Sequence, residues 1–228
     1  SMSVQAKRRA DYQPPAFSIA TVDLHITLHP TQTRVVSKLS VSRNGNHDSP
    51  LVLDGDNLTL NAIAINGNAL SDDEYSVSDT SLSIATTLDE FALEITNTIS
   101  PAQNKALEGL YLSGGAYCTQ CEAEGFRRIT YFMDRPDVLS VYTVTVVAEK
   151  SVPMLLANGN PVDKGDIDEN THFVKWHDPH PKPCYLFALV AGEFDLLTDS
   201  YTTTSGKEVA LELYVDKGKK SQGAFALE

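Results

Sequence analysis

Cysteine is scarce in this 228-residue chain: there are only three, Cys118, Cys121 and Cys184. An odd and small number excludes a disulfide scaffold and favours a reducing compartment. Long apolar runs are missing as well. The longest, Tyr185 to Gly192, falls far short of the ~20 residues that a membrane helix needs. Basic residues are outnumbered, 18 Lys plus Arg against 30 Asp plus Glu, which leaves a net charge of −12. DNA, RNA and anionic membranes are therefore not expected as partners, since each calls for a concentrated basic face. A cationic partner fits that charge better. With 13 Gly, 11 Pro and 42% hydrophobic residues, collagen-like, low-complexity and disordered readings are excluded too. A chain of this size buries roughly 70% of its unfolded surface and needs neither metal nor disulfide to fold. No apolar stretch follows Lys7-Arg8-Arg9, so the N-terminus does not read as a signal peptide. The Ser before Met2 reads as a cloning remnant. These features predict a cytoplasmic protein, or a piece of one.

What the chain does have is period-2 alternation. Val22, Leu24, Ile26 and Leu28 lie on one face, with Asp23, His25, Thr27 and His29 on the other. That is the pattern of a half-buried strand. Val35, Leu39 and Val41 repeat it, up to a turn at Asn44-Gly45-Asn46. Further strands are predicted at Leu51–Leu53, Leu58–Ile65, Leu82–Ile84, Phe91–Ile99, Val141–Glu149, Val152–Ala157, Thr171–His177, Tyr185–Ala191 and Val209–Val215. Asn66-Gly67 and Asn158-Gly159 predict hairpins, because Asn and Gly accept the positive φ such turns require. Asp178 to Pro183 holds three prolines and is predicted to stay out of any ladder. One or two helical turns fit Glu122–Thr130. The expected fold is all-β, an antiparallel sandwich or set of curved sheets with little helix. The chain ends at Ala-Phe-Ala-Leu-Glu228 just as an apolar pattern begins, which suggests truncation.

Several groups could carry chemistry. Cys118-Thr-Gln-Cys121 has the spacing of a zinc knuckle or redox pair, but Cys184 is the only other thiol and no strand-to-helix setting surrounds it. A structural role is favoured. Six histidines include no H-E-x-x-H, and His25 and His29 would stand about 13 Å apart on one strand face, too far to share a metal. They are read as surface residues. Asp163, Asp166, Asp168 and Glu169 lack the ligand order of a calcium loop and read as a charged hairpin tip. Asn57-Leu-Thr matches a glycosylation triplet that needs a secretory route to matter.

The informative stretch runs from Gly109 to Pro136, a Gly-rich, loop-like region. Gln120 and Glu122 both offer oxygen acceptors to a ligand ammonium. The competing reading is that Glu122 and Glu124 simply pair with Arg127 and Arg128 at the surface. The whole chain resembles the N-terminal domain of zinc aminopeptidases of the aminopeptidase N family, and among these the bacterial alanyl enzymes. The resemblance rests on Leu107-Glu-Gly-Leu-Tyr111, Gln120-x-Glu122, Arg127 and Asp134-x-Pro136. It continues through Ser151–Asn160, Pro181-Lys-Pro-Cys-Tyr-Leu-Phe-Ala-Leu-Val-Ala-Gly192 and Glu208–Asp216.

That resemblance implies a saddle-shaped β domain over residues 1–193, with 194–228 opening a thermolysin-like catalytic domain. A strand hairpin is expected there, Thr198–Thr204 against Glu208–Asp216. It implies an enzyme that removes N-terminal residues from peptides with zinc as cofactor. Glu122 would receive the substrate's α-ammonium and Gln120 would line the same pocket. Arg127, Asp134 and Pro136 would be scaffold for that loop. The family's Gly-Ala-Met-Glu-Asn and H-E-x-x-H motifs are absent from these residues. No catalytic or metal-binding residue is therefore assigned here, and the chain by itself is expected to be inactive. The alternative is a stand-alone β-sandwich binding module with no enzymatic partner.

Overall fold

The computed structural model describes residues 11–199, which form three β-sheets with almost no helix. The eight-stranded sheet is built on the alternating segments. β1 (Phe17–Thr27), β2 (Thr33–Arg43) and β8 (Glu90–Ile99) lie side by side and antiparallel. Their inward residues, including Val22, Leu24, Ile26, Val35, Leu39, Leu93 and Ile95, are buried. β4 (Thr59–Ile65) and β5 (Asn68–Ala69) extend the sheet beyond β8. Asn66 and Gly67 join them with φ of 52° and 82°, the two positive values the Asn-Gly turn predicts. On the other side β1 pairs in parallel with β11 (Ser140–Glu149), followed by β14 (Thr171–Lys182) and β13 (Asn160–Asp166). A three-stranded sheet holds β3 (Leu51–Asp54), β7 (Ser81–Ile84) and β6 (Tyr75–Val77).

The four-stranded sheet, in the order β12 (Met154–Ala157), β15 (Leu189–Gly192), β10 (Ala116–Gln120) and β9 (Gly109–Ser113), differs in kind. All of β12 and β15 and most of β9 and β10 are buried. A strand covered on both faces shows no alternation, so β9 and β10 looked like loop. Gly114 and Gly115, with φ of 59° and 88°, close the turn between them.

Four local expectations are corrected. Asp178–Lys182 does join the ladder: it is the end of β14, paired at Tyr142↔Asp178 and Ser140↔Lys182 with a bulge between. β13 stops at Asn160↔His177, so beyond that point β14 is an edge, where proline is tolerated. Asn158-Gly159 is not a hairpin, since it links β12 to β13 in different sheets. Gly159 is needed because a side chain there would collide with the His177 carbonyl. The strand expected at Tyr185–Ala191 forms only from Leu189, as β15, because a 3₁₀ turn at Cys184–Leu186 takes its first residues. Last, Phe194–Asp199 is a helix, α1, and not an opening strand; Leu197 on it is fully buried. The rest of the hairpin expected from Thr198 to Asp216, and the strand at Val209–Val215, lie outside the described residues.

The sheets share one core. At its centre Phe126 meets Phe132 and Phe187 edge-on, both at 5.2 Å, and Tyr142 at 6.1 Å. The Tyr142 hydroxyl is buried without a hydrogen-bond partner, and burial pushes its pKa well above the usual tyrosine value. Lys182 Nζ sits 4.3 Å from the ring centroid, a contact that a phenyl ring would retain. Tyr142→Phe is therefore expected to raise stability by about 1 kcal/mol, because it removes an unmet polar group and leaves the ring. Urea unfolding measures this, and a loss of stability would show that the hydroxyl has a partner.

Candidate functional site

The segment from Cys121 to Asp134 is where the three sheets meet. It leaves β10 at Gln120, turns at Cys121–Gly125 and makes a short 3₁₀ turn at Phe126–Arg128. The helical turns expected from Glu122 are thus a tight turn followed by 3₁₀ geometry. Gly125 N–H donates to the Cys121 carbonyl at 2.8 Å. A side chain at Gly125 would strike the Gln120 carbonyl and the Cys121 backbone, so the turn folds flush against the end of β10. The Glu122–Ala123 peptide is cis.

Each sheet holds this segment by its own contacts. From the eight-stranded sheet, buried Asn97 donates to the Ile129 carbonyl and accepts from the Thr130 hydroxyl, both at 2.9 Å. From the three-stranded sheet, Asp54 exchanges backbone hydrogen bonds with Phe132, and Asp56 N–H donates to the Arg127 carbonyl. On the side of the four-stranded sheet, the Cys184 thiol, just ahead of β15, donates to Asp134 Oδ1 at 3.1 Å. β10, which runs directly into the segment, is tied to β15 by Thr119 Oγ1 and the Leu189 backbone at 3.0 and 2.9 Å.

The charges in the segment are distributed unequally. Arg127 Nε donates to Asp134 Oδ2 at 3.0 Å, and the guanidinium also lies 3.7 Å from Glu124 and 3.8 Å from Asp54. Arg128 pairs with Asp56 at 3.1 Å and Glu108 at 3.4 Å. Glu124 therefore follows the surface-pairing reading. Glu122 does not: its carboxylate is exposed and has no hydrogen-bond or ion-pair partner among the described residues. Gln120 is half-buried beside it and donates to the Glu122 carbonyl at 3.3 Å. Cys121 between them points into the core. The arrangement is a rigidly seated turn that presents one free carboxylate and one amide to solvent. Pro136 is exposed and stands outside the Arg127–Asp134 contacts.

The other candidates resolve into structure. Cys118, Cys121 and Cys184 are free and buried. Burial pushes the Cys121 and Cys184 thiols up, the opposite of a reactive or metal-binding thiolate. Four histidines are not simply solvated. His29 and His47 accept backbone N–H groups in turns, His172 bonds the Val152 carbonyl and His177 bonds Thr143. Asp168 caps the β13–β14 tip by accepting from the N–H groups of Asn170 and Thr171. Among the described residues no group of three or more His, Cys, Asp or Glu side chains is placed to hold a metal ion. A cavity of about 600 Å³ lies beside Arg128 and Tyr131, and one of about 460 Å³ lies behind the turn between Asp54, Glu124, Arg127 and Asp134. Neither is lined by Gln120 or Glu122.

This fold and this segment match a known family. Residues 12–186 match the Peptidase M1 N-terminal domain, and the chain belongs to that family. It is 54% identical over 224 residues to Aminopeptidase N of Caulobacter vibrioides and 49% identical to that of Escherichia coli. Each match covers 98% of this chain and 26% of the relative, so the chain spans about a quarter of the curated relatives' length. Legionella pneumophila aminopeptidase A, solved in complex with aspartic acid, is 38% identical with a TM-score of 0.76, over 81% of this chain and 22% of that one. An M1 zinc metallopeptidase from Deinococcus radiodurans shares the fold at a TM-score of 0.68 and 18% identity, over 78% of this chain and 43% of its own.

Proposed function

We propose that this chain is the N-terminal part of a longer zinc aminopeptidase that releases N-terminal residues from peptides, and that Glu122 and Gln120 receive the substrate's α-ammonium. The free Glu122 carboxylate carries the reading. The other acids of the segment, Glu124 and Asp134, are paired with Arg127, so Glu122 is the one left to meet an external cation. An exopeptidase must tell a chain end from an internal residue, and the ammonium is what distinguishes that end. A carboxylate placed one residue from the scissile bond would position the substrate and take no part in bond breaking. On the same reading residues 1–193 are the β domain and 194–228 begin the catalytic domain. The metal would then be held by the rest of the longer protein, since the H-E-x-x-H motif does not occur in this sequence.

A stand-alone binding module is the competing reading; the 54% identity to Aminopeptidase N of Caulobacter vibrioides, kept over 98% of this chain, favours the peptidase reading over it. Zinc content and peptide hydrolysis, measured on the 228-residue chain beside the full-length protein, separate the two. The full-length protein is expected to hold zinc and to hydrolyse peptides from the N-terminus, and the chain alone to do neither. Hydrolysis by the chain alone, or a full-length protein without activity, would overturn the proposal.

A further inference from the structure

The Glu122 turn is aimed by residues far from it in sequence. Asp134 is central: its side chain is 2% exposed, so both carboxylate oxygens need partners in the interior. Oδ2 accepts from the backbone N–H of Arg127 at 3.2 Å and from its Nε at 3.0 Å. Oδ1 accepts from the Cys184 thiol at 3.1 Å, across 50 residues of sequence. Asp54, on β3, accepts from Asp134 N–H at 3.1 Å and faces the Arg127 guanidinium at 3.8 Å. Arg127 is held by its backbone as well, its carbonyl taking the Asp56 N–H at 2.9 Å. From Arg127 the link to the site is short. Gly125 N–H closes onto Cys121 O, and Glu122 is the next residue. Cys184 also opens the turn that leads into β15, which pairs with β10 at Tyr117↔Ala191. It therefore braces both the strand that ends in Gln120 and the turn that carries Glu122.

We propose that Cys184 and Asp54 are positioning residues for the Glu122 carboxylate, acting through Asp134 and Arg127. This rests on the reading that Glu122 receives the α-ammonium. The thiol proton holds Oδ1 so that the carboxylate plane stays turned toward Arg127, while Asp54 fixes the guanidinium from the other side. Burial, with Asp134 adjoining, pushes the Cys184 thiol up, so it stays a donor throughout the neutral range. Neither residue touches substrate. Their loss displaces the carboxylate by a fraction of an ångström, which weakens ammonium binding in the ground and transition states alike.

In the full-length protein Cys184→Ala and Asp54→Asn are each expected to raise KM for an unmodified peptide about fivefold with kcat nearly unchanged. In a Glu122→Gln background neither should raise KM further. Cys184→Ser keeps a donor and is expected to bring KM back to within about twofold. An equal rise in KM in the Glu122→Gln background, or a lower melting temperature with KM unmoved, overturns the proposal. Should Cys184→Ala not fold, Asp54→Asn carries the same test from a side chain that is 35% exposed. Glu122→Gln alone checks the underlying reading. If it leaves KM unchanged, that reading fails and the positioning role falls with it. If it raises KM while Cys184→Ala and Asp54→Asn do not, only the positioning role is refuted.

Discussion

Glu122→Gln in the full-length protein is expected to lower kcat/KM for peptides at least tenfold, about 1.4 kcal/mol. Glutamine keeps the shape and one acceptor oxygen and removes the charge, so the loss reports on charge recognition. An exposed ion pair contributes only about 0–1 kcal/mol, and Glu122 is exposed here. The larger expected effect therefore requires that the rest of the longer protein cover the turn and dry it, since attraction grows as water leaves. The same arithmetic predicts that the 228-residue chain alone will not hold an amino acid. Even millimolar affinity needs about 4.1 kcal/mol, beyond one solvated carboxylate and one amide. Titration of the chain with a simple amino acid tests this. Saturation below about 1 mM would mean that the ammonium pocket is complete within these residues and that the drying argument is wrong.

The parts of this fold that were legible are those with one wet face. β1, β2 and the first half of β8 alternate, apart from a bulge near Ala20 in β1, because they turn every second side chain to solvent. Asn66-Gly67 marked its hairpin because both residues accept positive φ. Within the four-stranded sheet, β12 and most of β15 were expected as strands, from the short apolar runs Val152–Ala157 and Tyr185–Ala191. β9 and β10 were hidden for the opposite reason: the first three residues of each are buried in succession, so the polar half of the pattern is missing. The prolines of β14 misled because edge position depends on where β13 ends, a tertiary fact. The site shows a similar division. Residue types alone could pair Glu122 as readily as Glu124 with the arginines; only the fold shows that Arg127 and Arg128 are taken by Asp134, Glu124, Asp56 and Glu108. The choice of Glu122 rests on the family resemblance, to which the fold adds that its carboxylate is unpaired among the described residues. Nothing pointed to Cys184 or Asp54, whose partners lie 50 and 80 residues away.

The largest loss of stability is expected from Arg127→Met, about 3 kcal/mol. Methionine keeps much of the apolar stem that Arg127 packs, so the change isolates the guanidinium. What remains is Asp134, its side chain 2% exposed, with the Cys184 thiol and one backbone N–H in place of a cation. A buried carboxylate stripped of its counter-charge costs about 3–5 kcal/mol. The lower end applies because Arg127 itself is 23% exposed and water can follow into the space it leaves. Adding Asp134→Asn to Arg127→Met is expected to recover part of the loss, since the amide carries no charge to strand. Arg128→Met supplies the contrast: its acids, Asp56 and Glu108, are 40% and 53% exposed, and stay solvated without it. That variant is expected to cost under about 1 kcal/mol. Urea unfolding of the 228-residue chain reads all three through the transition midpoint at constant slope. Equal midpoints for Arg127→Met and Arg128→Met would mean that water already reaches Asp134, and that its contact with Arg127 is a surface pair with no power to fix the Glu122 turn.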